Sequence, residues 1–352
     1  MVGTDGALPL PWLAAPLQQG LQAQAHALLL HGPEGVGQFD LAVTLAQGWL
    51  CEAPIDAPAK PCGTCVACRL VQARSHPDLL VLLPEALREP LGWAGGDAEE
   101  GGAEKAGKSK PSKEIKVEAV RAAVAFAQTT SARGHGKVVV LHPAERINAI
   151  ASNALLKTLE EPPGNARFLL SCAAPEALLP TIRSRCQALR LTLPQPEVAT
   201  RWLTARGVAE PAVLLAACGG QPLQALEWSE EGIDAKLWSQ LPALMLRGES
   251  VPFLNWPLPR LVEALQKLCH DALCAASGAA PRYLPPGTVR AGADNAALTD
   301  WARNLTRIAR HAEHPWSAGL LVESLVNEAR TALVPQGIAG RGAPGKPIHS
   351  DR

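Results

Sequence analysis

A glycine-rich turn between an apolar run and a helix constrains the fold of this 352-residue chain more than any other feature. Ala27–Leu30 predicts a short buried strand, and Asp40–Leu50 has the spacing of a helix. Between them, Gly32, Gly35 and Gly37 are spaced as in the phosphate-binding loop G-x-x-x-x-G-K-[ST]. Because the backbone amides of such a loop face phosphate, the segment predicts the nucleotide-binding end of an α/β domain.

The residues that carry the chemistry of this loop are replaced. Gln38 stands where a lysine reaches the β- and γ-phosphates, and Phe39 where a hydroxyl holds Mg²⁺. Glutamine brings no charge, and a phenyl ring cannot ligate a hard cation. The acidic pair that holds the metal after a later strand is also absent, since Val138–Leu141 runs into His142-Pro143. We expect no ATP hydrolysis by this chain, although the bare loop leaves weak nucleotide binding open.

Strands alternate with helices in the first half of the chain. Further strands are predicted at 78–83, 137–141 and 167–171, so the fold class is α/β with a mainly parallel sheet. Segment 85–114 is rich in Gly, Ala, Glu and Lys and is predicted to be a disordered insertion. After Pro194 the pattern is all-helical, and the Gly/Pro-rich tail, 335–352, is expected to be disordered.

Composition and charge exclude several classes of protein. The 33 basic and 33 acidic residues balance, which argues against a protein that coats a polyanion. No apolar run is long enough to cross a membrane, and Met1–Pro11 lacks the features of a signal peptide. We expect a cytoplasmic protein, in which the nine cysteines do not form a disulfide framework.

Four of these cysteines form the pattern C-x10-C-x2-C-x2-C, at Cys51, Cys62, Cys65 and Cys68. In a reducing compartment such thiols suit Zn²⁺, which takes four sulfur ligands tetrahedrally. A site with four thiolates is closed, so the predicted zinc is structural and not catalytic. Free thiols or a redox pair are the alternatives.

Two later motifs make the pattern specific. Residues 153–163 read NALLKTLEEPP, and residues 181–186 read TIRSRC. Both resemble the clamp-loader branch of the AAA+ proteins, in which a four-cysteine module after the first helix is a bacterial feature. Segments 11–13, 314–316 and 320–325 also resemble this family, so the resemblance spans most of the chain.

The resemblance implies three domains and a set of partners. It implies a RecA-like AAA+ domain at 1–192 with the zinc module at 51–68, a three-helix lid at 193–240 and a helical collar at 241–334. The implied partners are the gamma/tau and delta subunits of a hetero-pentamer that loads a sliding clamp onto primed DNA, with no membrane partner.

The Ser-Arg-Cys motif implies an outward-acting role for Arg185. In the family this arginine enters the neighbouring subunit's ATP site, where its planar fork binds phosphate oxygens. A surface or salt-bridged arginine is the alternative, and Arg183 competes for the role. The family's two sensor positions fall at Cys172 and Leu223, which extends the loss of ATP chemistry.

Three rival hypotheses remain open at this point. The first is an active AAA+ ATPase that uses an unusual acid such as Glu145. The second is a zinc-dependent nucleic-acid-binding module. In the third, the glycine-rich segment is only a turn, with no relation to nucleotide binding.

Overall fold

The computed structural model describes residues 1–54, 60–93, 111–290, 292–310 and 318–334. The chain divides into two compact units, residues 1–198 and 199–352. The division falls within the helix Pro196–Thr204. The predicted disordered tail and the middle of the predicted insertion, residues 94–110, lie outside the described residues.

The first unit is built around a five-stranded parallel sheet in the order β2-β3-β4-β1-β5. β1, β3 and β4 are almost continuously apolar, as expected of parallel strands buried on both faces. The four predicted strands are confirmed. The strands are β1 (Ala27–His31), β2 (Leu79–Leu82), β3 (Val138–Leu141), β4 (Arg167–Cys172) and β5 (Gln187–Arg190).

Helices cover this sheet. The second helix of the chain packs against β1, β3 and β4. The fifth helix contacts β2, β3 and the sixth helix. Leu29, Leu141 and Phe168 belong to the main hydrophobic core, with residues of the fifth and sixth helices. The helices are α1 (Ala14–Gln22), α2 (Gln38–Leu50), α3 (Val66–Gln72), α4 (Glu85–Arg88), α5 (Val117–Gln128), α6 (Ala149–Glu160), α7 (Pro180–Arg183) and α8 (Pro196–Thr204).

Two features of this unit differ from the sequence prediction. The pattern does not predict β5, because only Leu189 of its four residues is buried and no apolar run marks it. The ends of segment 85–114, predicted as disordered, are structured. α4 lies at one end, and Glu85 binds Lys116 at 2.6 Å and accepts a hydrogen bond from the backbone of Ser112. An ion pair and a backbone hydrogen bond thus connect Glu85 with residues at the other end of the segment.

The described elements of the second unit after α8 are all helical. Trp228 and Trp238 pack in its interior at a ring distance of 5.1 Å. The buried Asp271 accepts hydrogen bonds from three successive backbone amides, at 282–284. The helices are α9 (Pro211–Ala217), α10 (Pro222–Glu230), α11 (Ala235–Arg247), α12 (Leu258–Ala276), α13 (Asn295–Ala309) and α14 (Ala318–Leu333). The predicted lid–collar boundary at 240 falls inside α11.

A membrane-spanning segment is not found among the helices of the described residues, none of which combines the necessary length and apolarity.

Candidate functional site

The sheet topology brings the ends of three strands together. In the order β3-β4-β1, the carboxyl ends of these parallel strands share one edge of the sheet. Gly32 follows β1, His142 follows β3, and Cys172 ends β4. Ligands of open α/β sheets bind at this edge, close to where the strand order reverses. The degenerate loop and the degenerate acidic motif therefore occupy one site.

The loop retains the backbone of a phosphate loop. Gly37 has a φ of +94°, a left-handed conformation that favours glycine, and a Cβ there would lie 2.4 Å from the Leu10 side chain. A Cβ on Gly32 would lie 2.4 Å from the carbonyl oxygen of Leu191. Trp12 donates a hydrogen bond to the carbonyl of Val36 at 2.8 Å. The glycines are thus required by close packing around the loop.

Gln38 closes this loop from inside. Its side chain is buried, and Nε2 donates to the carbonyl oxygens of Gly32 at 2.7 Å and Pro33 at 2.6 Å. These bonds use both amide hydrogens, and the side chain carries no charge. The position that reaches phosphate in an active loop is therefore used to hold the loop together.

Phe39 packs into an aromatic cluster at the same edge. Its ring centroid lies 4.9 Å from that of His142 and 6.4 Å from that of Trp93. Burial lowers the pKa of His142 to about 4, so its imidazole is neutral at physiological pH. Nδ1 of His142 lies 3.0 Å from Ser171 Oγ. Two rings and a neutral imidazole thus stand where an active site holds Mg²⁺ and its acids.

The two remaining polar candidates at this edge serve other purposes. One carboxylate oxygen of Glu145 accepts hydrogen bonds from the backbone amides of Ala173 at 2.9 Å and Ala174 at 3.4 Å. Glu145 therefore holds the turn after β4. Burial raises the pKa of the Cys172 thiol to about 12, which leaves it uncharged.

Arg185 is held by its own chain. Nε donates to Glu160 Oε1 at 2.7 Å, and a terminal nitrogen donates to the carbonyl of Thr181 at 2.8 Å. Glu160 is the last residue of α6, and about a third of the Arg185 side chain is exposed, at 30%. The guanidinium is accordingly positioned near the surface by a carboxylate that another group can replace. Arg183, its competitor, is exposed at the end of α7.

The four predicted cysteine ligands form one cluster. All four sulfurs lie within 4.8 Å of one another. Sγ of Cys51 lies 3.9 Å from that of Cys65, and Sγ of Cys62 lies 3.9 Å from that of Cys68. Zn–S bonds of about 2.3 Å in a tetrahedron place the sulfurs roughly 3.8 Å apart. The residues therefore fit a tetrahedral metal ion.

Backbone donors support this cluster from outside. The amide of Cys65 donates to Cys62 Sγ, and the amide of Cys68 donates to Cys65 Sγ, both at 3.4 Å. Such second-shell bonds orient metal ligands. Glu52, next to the first cysteine, pairs with Arg133 of the loop between α5 and β3. The cluster follows the carboxyl end of α2, and the phosphate loop precedes the amino end of the same helix. Because α2 has 13 residues, it separates the two sites by about 20 Å.

Comparisons with known proteins identify the family of this chain. The family model described as DNA polymerase III, delta subunit, matches residues 13–195, more than half of the chain. The Escherichia coli DNA polymerase III subunit delta′ is 31% identical over 283 residues, which cover 73% of this chain and 76% of that protein. This chain belongs to the DNA polymerase III subunit delta′ family.

Two further relatives define the extent of the similarity. The delta′ subunit of Pseudomonas aeruginosa is 40% identical over 229 residues, covering 63% of this chain and 62% of that protein. The match therefore spans somewhat less than two thirds of that relative's length. The tau subunit of E. coli DNA polymerase III is 34% identical over 166 residues, or 47% of this chain and 21% of that protein.

In this delta′ family member, the structure assembles part of the predicted site and adds residues that sequence reasoning missed. The phosphate loop, His142 and Cys172 share one sheet edge, as the strand alternation implies. Trp93 was not predictable, because it lies in the segment predicted as disordered. Glu160 pairs with Arg185 across 25 positions, a separation that leaves no local sequence signal. Leu223 lies in the second unit, at the start of α10.

Proposed function

We propose that this chain acts as the non-hydrolysing delta′ subunit of a DNA polymerase III clamp loader. It would join gamma/tau and delta subunits in a hetero-pentamer that loads a sliding clamp onto primed DNA during replication. As part of the DNA polymerase III holoenzyme, it would contribute to DNA synthesis without catalysing nucleotidyl transfer or ATP hydrolysis itself.

The filled nucleotide site carries this proposal. Gln38 binds the loop's own carbonyls, and Phe39 packs on a neutral His142. Hydrolysis needs a cation at the phosphates, a metal and a group that orients water. The residues at this edge supply none of these, since Glu145 is bound to backbone amides. The rival of an active ATPase is tested by titrating Mg-ATP into the isolated chain, for which we expect no turnover.

Arg185 is proposed to act on a neighbouring subunit's ATP. An arginine finger must lie at a surface and bring a fork of donors to phosphate oxygens. Arg185 meets the first condition by its partial exposure and the second by its residue type. Its ion pair with Glu160 positions the side chain, and phosphate oxygens can replace that carboxylate.

The test is Arg185→Ala in a loader reconstituted with gamma/tau and delta subunits, assayed with the clamp and primed DNA. We expect normal assembly on size exclusion and a fall of roughly 10³-fold or more in turnover at the adjoining ATP site. The total ATPase rate of the loader then falls by the fraction that this one site contributes to it. Arg183→Ala is the matched control and should leave the rate unchanged. Wild-type ATPase in the Arg185→Ala loader would contradict the finger role.

The zinc and domain assignments complete the proposal. Cys51, Cys62, Cys65 and Cys68 would hold a structural Zn²⁺, which stabilises the segment that links α2 to α3. The AAA+ domain, lid and collar are proposed at 1–192, 193–240 and 241–334, with the lid–collar boundary close to α11.

A further inference from the structure

A second cavity of the first unit lies at the edge of the sheet opposite the phosphate loop. It has a volume of about 580 Å³ and is lined by His26, Val138 and Arg167, which stand at the amino ends of β1, β3 and β4. The end of α2, Lys60, His135 and part of segment 162–166 also line it. Neither the proposed ATP chemistry nor the four-cysteine cluster uses this space.

Arg167 is the central charged group of this cavity. Its guanidinium carbon lies 4.6 Å from the centre of the Trp49 ring, which fixes the side chain by a cation–π contact. Within the described residues, no carboxylate and no hydrogen-bond acceptor contacts the guanidinium. Burial lowers the pKa of Arg167, a shift that a neighbouring carboxylate would oppose. Arg167 is half-buried, and a cation that is partly withdrawn from water is stabilised when an anion joins it.

Two further donors of the wall lack a partner among the described residues. Trp49 Nε1 is buried and has no hydrogen-bond partner. Lys60, which is half-buried, makes no ion pair with any described residue. No aspartate or glutamate is among the described residues that line the cavity. An ammonium and a guanidinium are donors only and carry positive charge, so a matching ligand must bring acceptors and negative charge.

We propose that this cavity is a binding site for the phosphate group of a small molecule. A phosphate carries up to two negative charges and accepts the bidentate fork of an arginine together with a point charge from lysine. The volume falls within the range of small-molecule sites. A single carboxylate would balance only one of the two cations. This site is independent of the clamp-loader role and stands whether or not that role is correct.

The test is isothermal titration calorimetry of the full chain with sodium phosphate, with sodium chloride adjusted to keep ionic strength constant. We expect saturable binding whose Kd rises at least about tenfold in Arg167→Gln, because charge-assisted hydrogen bonds are lost. Arg121→Gln is the matched control, since it removes the same charge from an exposed position on α5 and should bind phosphate as the wild type does.

Two further measurements keep the test decisive. If Arg167→Gln is misfolded by circular dichroism, Lys60→Gln replaces it, and we expect weaker binding there too. No saturable heat in the wild type, or equal affinity in the pocket variants and Arg121→Gln, would overturn the proposal. A parallel titration with adenosine monophosphate identifies the source of the phosphate. Tighter binding than inorganic phosphate indicates an organic phosphate ester, and equal binding indicates free phosphate.

Discussion

Gln38 and Phe39 show how a phosphate loop keeps its shape after its charged residues are replaced. Each of the two hydrogen bonds from Gln38 to the loop carbonyls contributes about 1 kcal/mol net. Phe39 fills space beside His142 and Trp93 with apolar surface. Gln38 and Phe39, which stand at the lysine and hydroxyl positions of the phosphate-loop motif, therefore stabilise the first unit.

The buried His142 makes stability depend on pH. Its folded pKa of about 4 lies below the ordinary value of 6.5, so the unfolded chain binds more protons between these values. Its contribution is fully present above pH 6.5 and is lost as pH falls towards 4, by up to about 3 kcal/mol. Urea unfolding at several pH values should show this loss. His142→Asn should flatten it, and an unchanged pH dependence in the variant would contradict the assignment.

At the scale of elements, the sequence predicts those strands and helices that a local hydrophobic pattern marks. β1, β3 and β4 are apolar runs bounded by polar residues, and the order of loop, strand and helix follows from them. The sequence does not predict β5, because its single buried residue, Leu189, forms neither an apolar run nor an alternating pattern. The cluster of Phe39, Trp93 and His142 escaped it because three distant segments form it. Packing across the sheet edge, and not any local spacing, brings those rings together.

The four-cysteine segment offers a prediction at this scale. Cys62→Ser removes one of four sulfurs and should weaken zinc binding by more than about 100-fold, since even outer-shell changes cost 10- to 100-fold. The metal content of the purified protein, measured by mass spectrometry, should fall from about one zinc per chain, and its Tm should fall with it. Cys186→Ser is the control, because Cys186 lies outside the four-cysteine cluster. Equal loss of zinc in both variants would place the ion elsewhere.

On the scale of the whole molecule, the proposed function assigns different roles to the phosphate loop and to Arg185. The phosphate loop and its neighbours pack internally, whereas the Arg185 side chain is partly exposed. The proposed division lets the chain influence ATP hydrolysis in a ring without binding ATP productively. The proposal also gives Glu160 a defined part, because this carboxylate, which binds the Arg185 guanidinium, would be replaced there by the neighbouring ATP site.

Glu160→Gln tests that exchange. An exposed ion pair contributes about 0–1 kcal/mol, so its loss should leave Tm nearly unchanged. Arg185 would then leave its own chain more easily, and DNA-stimulated ATPase of the reconstituted loader should stay equal or rise, up to about fivefold. This outcome is opposite to that of Arg185→Ala. Glu161→Gln, one position along at the end of α6, is the matched control and should behave as wild type. A fall in ATPase for Glu160→Gln alone would mean that the carboxylate itself is needed at the interface, and that Arg185 acts while still paired with it.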